Sequence, residues 1–147
     1  MDALAIAALI ASLFAPKTVS DAGLEHIKKY EGLRLEQYQC PAGKTTIGYG
    51  HQTKSRRTIT KKQAEELLKS DLAPIEEHIN SLGIAFTQNQ FDVVCSFAFN
   101  VGLHNFKSST FSKTFDPEEL KKWVYRNKKK LPGLVSRRQA EYLIYTT

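Results

Sequence analysis

A chain of 147 residues with 41% apolar and 24% charged residues has the make-up of one folded domain, which excludes a disordered or fibrous protein and allows a core without crosslinks. Two cysteines, Cys40 and Cys95, are too few for a disulfide scaffold, and without a CxxC or Cys/His cluster there is no zinc set, so neither metal nor cofactor is expected. The net charge of +6, densest at Lys54 to Arg57 and from Lys121 to Lys130, suits an acidic partner, but its pattern is not that of a nucleic-acid platform and no nucleic acid is expected.

Residues 3–15 are apolar except for Ser12, and Pro16-Lys17 ends the run. The run falls short of the roughly 20 residues that span a bilayer, and Asp2 stands where a signal peptide carries positive charge. Residues 1–16 are therefore an apolar N-terminal segment with three open readings: a weak export or signal-anchor segment, an interfacial helix, or a helix packed on the domain formed by residues 17–147.

Ser20-Asp21 starts a helix through Leu24, Ile27 and Tyr30 that ends near Gly32. Between Gln37 and Gly50, the turn at Pro41-Ala42-Gly43 and the alternation of Thr45, Ile47 and Tyr49 with Thr46, Gly48 and Gly50 predict a hairpin or a three-stranded sheet. Thr60 and Gln63 have capping-box form before a helix through Ala64, Leu67, Leu68, Leu72, Ile75 and Ile79, with a kink or break expected at Pro74. Thr87 and Gln90 repeat the signature before Phe91, Val94, Cys95 and Ala98, a stripe on which Cys95 reads as core packing, and this helix stops at Asn100 to Gly102. Asp116-Pro117 opens a helix through Leu120, Trp123 and Val124. Ser136 opens the last, with Ala140, Leu143 and Ile144 facing inward. The pattern is α+β: mostly helical, with one small sheet near the start.

Glu31 stands where a helix turns into the sheet, and taken alone a glutamate beside a glycine there reads as a solvated helix end. Apolar walls there would desolvate the carboxyl and keep it protonated, which is the form that protonates a leaving group.

The stretch from Glu31 to Cys40, followed by Pro41-Ala42-Gly43-Lys44-Thr45-Thr46-Ile47-Gly48-Tyr49-Gly50-His51, resembles the phage-type lysozymes of glycoside hydrolase family 24. Glu31, Cys40 and Thr46 match the spacing of that signature. Phe97 to Gly102 and Gly133 to Arg138 resemble later blocks, so that the likeness runs over residues 20–147.

The resemblance implies a lysozyme-like fold, with a sheet lobe and a helical lobe around a cleft. It implies an endolysin hydrolysing the β-1,4 bonds between N-acetylmuramic acid and N-acetylglucosamine of bacterial peptidoglycan, made in the host cytoplasm and acting on the wall as a monomer. Glu31 would be the general acid, with Cys40 and Thr46 positioning water on the other sugar face, which implies inversion. Tyr38, Gly50, Phe99 and Asn100 would bind substrate, and His51 would pair with Asp71 to tie sheet to helix.

A thiol with an ordinary pKa near 8.5 is a poor base. Water positioning, base, nucleophile and spectator therefore remain open for Cys40, the last giving a lytic transglycosylase that uses Glu31 alone. A weakly active cationic wall-binding protein is the remaining alternative, and a Cys40–Cys95 bridge could silence the thiol. Arg137 or Arg138 could approach Glu31 or pair with Glu141 on their own helix. The basic surface suits anionic wall polymers or a membrane surface.

Overall fold

The computed structural model describes residues 2–39, 45–54 and 57–147. Helix α1 (Ala3–Leu13) is capped by Asp2, whose carboxylate accepts from the Ala5 N–H at 2.7 Å. No residue of α1 is buried, and Leu4 is 84% exposed. No described helix is long and apolar enough to cross a membrane.

Helix α2 (Asp21–Glu31) starts where the Ser20 hydroxyl accepts from the Gly23 N–H, and Gly32 ends it at φ 73°. Its start is tied to the core through buried Asp92, which accepts from the Ser20 N–H at 2.9 Å.

Strands β1 (Arg34–Gln39), β2 (Thr45–Gly48) and β3 (His51–Gln52) form an antiparallel sheet in that order, with an irregularity in the β1–β2 register between Arg34 and Tyr38. Ile47 is wholly buried, so the alternation of a strand sets its neighbour Thr46, which is half-buried, on the opposite face. The Ile59 N–H donates to the Leu35 carbonyl at 2.9 Å and so covers part of the sheet edge.

Helix α3 (Lys61–Ser81) opens on the expected capping box: the Gln63 N–H donates to Thr60 Oγ1 at 3.1 Å, and the Thr60 N–H to Gln63 Oε1 at 2.9 Å. It runs unbroken through Pro74, so that of the expected kink or break the break does not occur. Pro74 is exposed, so the carbonyl that loses its donor one turn back can be served by water and the helix continues.

Helix α4 (Gln88–Val101) is buried at every position from Phe91 to Ala98 and forms the axis of the helical lobe. Two short helices that the sequence pattern does not announce, α5 (Leu103–Ser108) and α6 (Thr110–Thr114), bring aromatic rings onto it. Phe97 meets Phe106, Phe111 and Trp123 edge-on, at centroid separations of 6.2, 5.2 and 5.6 Å. Removing a ring so enclosed typically costs about 3–5 kcal/mol.

The C-terminal third departs from expectation in two places. Asp116-Pro117 opens a short 3-10 turn, Pro117–Lys122, rather than a helix through Val124. Trp123 leaves helical geometry at φ −95°, ψ 61° and packs on Phe97; strands β4 (Tyr125–Arg126) and β5 (Lys129–Lys130) then form a hairpin. Its turn residues Asn127 and Lys128 have φ of 49° and 63°, as a two-residue type I′ turn requires.

Helix α7 (Pro132–Tyr145) begins earlier than Ser136, because Pro132 takes the first helical position, where its missing N–H costs nothing. The inward face of α7 is not the apolar one expected. Leu143 is 65% exposed and Ala140 and Ile144 are half-buried, while Arg137, Arg138 and Glu141 are buried.

Candidate active site

Glu31 ends α2 at the meeting point of three elements. One carboxylate oxygen, Oε1, accepts from Arg137 Nη1 of α7 at 2.7 Å. The other faces Gly50 in the turn between β2 and β3, where a Cβ would lie 3.1 Å from Oε2. Gly50 also has φ 77°, so glycine serves both the turn and the close approach to the carboxylate. The Glu31 side chain keeps 18% exposure and that of Arg137 only 3%: the carboxyl is open on one side and ion-paired on the other. The apolar wall foreseen for Glu31 is thus, on its α7 side, a guanidinium.

Behind Glu31 lies a buried charge network. Arg137 Nη2 donates to the Ser96 carbonyl at 3.3 Å and to Ser96 Oγ at 3.2 Å, while its Nε lies 3.9 Å from Glu141 Oε1 without a hydrogen bond. Arg138 donates to Glu141, to Asn100 Oδ1 and, at 3.0 Å, to the Trp123 carbonyl, with its guanidinium 5.0 Å from the Phe97 ring centroid. Burial pushes the Glu141 carboxyl above the usual carboxylate range, opposed by Arg138 and Arg137. On α2, His26 is pushed down to about 4, first by burial and then by Arg137, Arg138 and Lys29. The sequence left two destinations for the arginine pair, Glu31 or Glu141; the structure uses both, one through each arginine.

The other candidate residues fall into separate groups. His51 Nδ1 lies 2.8 Å from Asp71 Oδ2 and 3.0 Å from Oδ1, which links β3 to α3. Thr46 lies on β2 opposite Tyr38 and Gln52, on the face away from the core. Phe99 is half-buried against the core and Asn100 gives its carbonyl oxygen to Arg138. Cys40 lies outside the described residues, and of Tyr38 only the strand position is described. Cys95 is a free thiol with no exposure, raised by burial and by Glu76 and Asp92. A cavity of about 510 Å³ lies elsewhere, between the β4–β5 hairpin and α7, lined by residues that include Lys121, Val124, Lys130 and Tyr142 but not Glu31.

Comparison with known proteins adds an independent line. The endolysin of Acyrthosiphon pisum secondary endosymbiont phage 1 is 40% identical over 141 residues, covering 86% of this chain and 97% of that protein. The muramidase domain of SpmX from Asticaccaulis excentricus superposes with a TM-score of 0.81 at 35% identity, over 88% of this chain and 98% of that one. A mutant lysozyme of Salmonella phage P22 superposes with a TM-score of 0.78 at 31% identity, over 89% and 99%. Residues 28–141, from the last turn of α2 through Glu141, match the family model described as phage lysozyme. With the family model, the sequence relatives and the fold in agreement, the chain belongs to the phage lysozyme family and is a glycoside hydrolase.

Proposed function

We propose that this lysozyme degrades bacterial peptidoglycan by cleaving the β-1,4 bond between N-acetylmuramic acid and N-acetylglucosamine, with Glu31 as general acid. The observation that carries the reading is the seat of that carboxyl, held by Arg137 through one oxygen and facing the bare backbone of Gly50 with the other. A glycosidic oxygen approaching over Gly50 meets no side chain at that residue.

Glu31 gives its proton to that oxygen as the bond breaks. A water on the opposite face of the sugar attacks the anomeric carbon, which inverts. Thr46, turned away from the core, and Cys40 hold this water. A neutral thiol positions it better than it deprotonates it. Tyr38, Phe99 and Asn100 bind flanking sugar; the carbonyl of Asn100 is committed to Arg138, so the amide Nδ2 is its donor to an acetamido oxygen. The His51–Asp71 link keeps the sheet on α3 and so holds the Gly50 turn over Glu31.

Glu31→Gln keeps shape and removes the proton. Peptidoglycan solubilisation is expected to fall by about 10²–10⁴-fold, and mass spectrometry of wild-type digests to show reducing ends. Activity retained in Glu31→Gln would sink the assignment of the acid, and anhydro-muramic ends would replace hydrolysis with transglycosylation. The net charge of +6 supports association with anionic wall polymers or phospholipid. Salt is therefore expected to slow lysis of whole cells more than cleavage of soluble glycan fragments, and equal slowing would remove that role.

A further inference from the structure

Among the described buried polar atoms, Arg137 Nε and Glu141 Oε2 both lack a hydrogen-bond partner, and Nε stands 3.9 Å from the neighbouring oxygen of the same carboxyl, Oε1, which Arg138 already holds. Two buried groups that could satisfy one another, a donor and an acceptor of opposite charge, stand one small movement short of doing so. Arg137 is meanwhile engaged at its other end by Glu31 at 2.7 Å.

We propose that Glu141 is a positioning residue of the hydrolysis, the second acceptor to which the Arg137 guanidinium transfers when Glu31 takes up the proton that it donates to the sugar. The inference rests on Glu31 being the general acid. With Glu31 ionised, Arg137 donates to it. When Glu31 gains a proton from solvent, the carboxyl loses its charge and with it the charge-assisted part of that bond. Arg137 then shifts along α7 and Nε donates to Glu141, which leaves the acid free to face the glycosidic oxygen. Once the proton has passed to the leaving group, the restored carboxylate recovers Arg137. Arg138 holds Glu141 through Oε1 and leaves Oε2 as the landing point.

The groups facing this pair from neighbouring elements are few. Helix α2 contributes His26 and the Tyr30 ring, whose centroid is 5.8 Å from the Arg137 guanidinium; α4 contributes Asn100 and Ser96, whose hydroxyl also favours the charged Glu141, and neither titrates. Among the described residues that interact with the two arginines, Glu141 is the carboxylate besides Glu31.

Glu31→Gln imitates the protonated acid and supplies the direct test. Its crystal structure is expected to show Arg137 Nε within hydrogen-bond distance of Glu141, near 3 Å. A guanidinium still turned to position 31, with Nε unmet, overturns the proposal.

The kinetic test is Glu141→Gln. With no second anion, Arg137 stays on Glu31. The alkaline limb of kcat against pH is expected to move to lower pH and kcat to fall while KM holds. A loss of rate with an unmoved pH profile would make Glu141 merely structural and overturn the proposal, whereas full activity in Glu31→Gln would instead remove the general-acid reading beneath it. Should Glu141→Gln not fold, the Glu31→Gln structure decides alone.

Discussion

Arg138→Met isolates what the buried network contributes to stability. The wild-type side chain is 1% exposed, hydrogen-bonds the Trp123 carbonyl, Asn100 and Glu141, and stacks on Phe97. Methionine can fill the space over the ring but leaves Glu141 wholly buried, with Arg137 3.9 Å away as the nearer surviving cation. Removing one partner of a buried pair costs about 3–5 kcal/mol, because the charge left behind is uncompensated. At about 2 cal/mol/K of unfolding entropy per residue, a chain of 147 residues converts each kcal/mol to about 3 °C, so a fall in Tm of roughly 10–15 °C is expected by circular dichroism.

Acidity supplies an internal check on that figure. Burial raises the Glu141 carboxyl in the folded state above its ordinary value of 4.5, so protonation favours the folded form, and the stability it brings is lost as pH rises through the folded value. Loss of Arg138 removes a cation that opposes this rise. The gap between Arg138→Met and wild type should therefore narrow as pH falls from 7 toward 4.5. Arg138→Met combined with Glu141→Leu, which removes both charges, should regain at least half of the lost Tm. A single variant melting within 3 °C of wild type, or a double variant no better than the single, would refute the reasoning.

Two further outcomes follow from geometry and titration. Gly50→Ala and Gly83→Ala both place a Cβ at positive φ, 77° and 67°, but only the former brings it within 4 Å of Glu31, at 3.1 Å from Oε2. Each should lose about 1–2 kcal/mol. Lytic rate should fall at least about tenfold for Gly50→Ala alone, and equal activity of the two would show that the Gly50 contact does not matter. His26 is held near 4 when folded against 6.5 unfolded, so the unfolded chain takes protons first and stability declines as pH falls through that window. The full difference corresponds to about 3 kcal/mol; solvent reaching the half-buried ring reduces it to about 1–2 kcal/mol. His26→Gln should flatten this decline in urea titrations, and an unchanged slope would exclude His26 as its source.

The parts of the fold that could be read from the sequence are those where local chemistry and tertiary packing agree. Thr60 with Gln63 and Thr87 with Gln90 satisfy orphan N–H groups within four residues, and both boxes form where the pattern puts them. Helix α7 was misjudged because periodicity assumes that apolar residues face inward. Here the inward face is Arg137, Arg138 and Glu141, stabilised by mutual pairing that no hydropathy pattern records. The β4–β5 hairpin was missed because Asn127-Lys128 takes the left-handed turn without the usual glycine, and α5 and α6 are too short to repeat. Of the candidate site, Glu31, Gly50, His51 and Asp71 were legible only through the resemblance of the stretch around them to the family signature. The division of labour between the two arginines depends on contacts across 106 positions of sequence and was not legible.

The seat of Glu31 is assembled from residues 31, 50 and 137, and α7 follows every other described element along the chain. Translation must therefore pass residue 137 before the acid acquires its cation. A translation product that stops short of α7 carries the signature stretch but not the guanidinium that meets its glutamate.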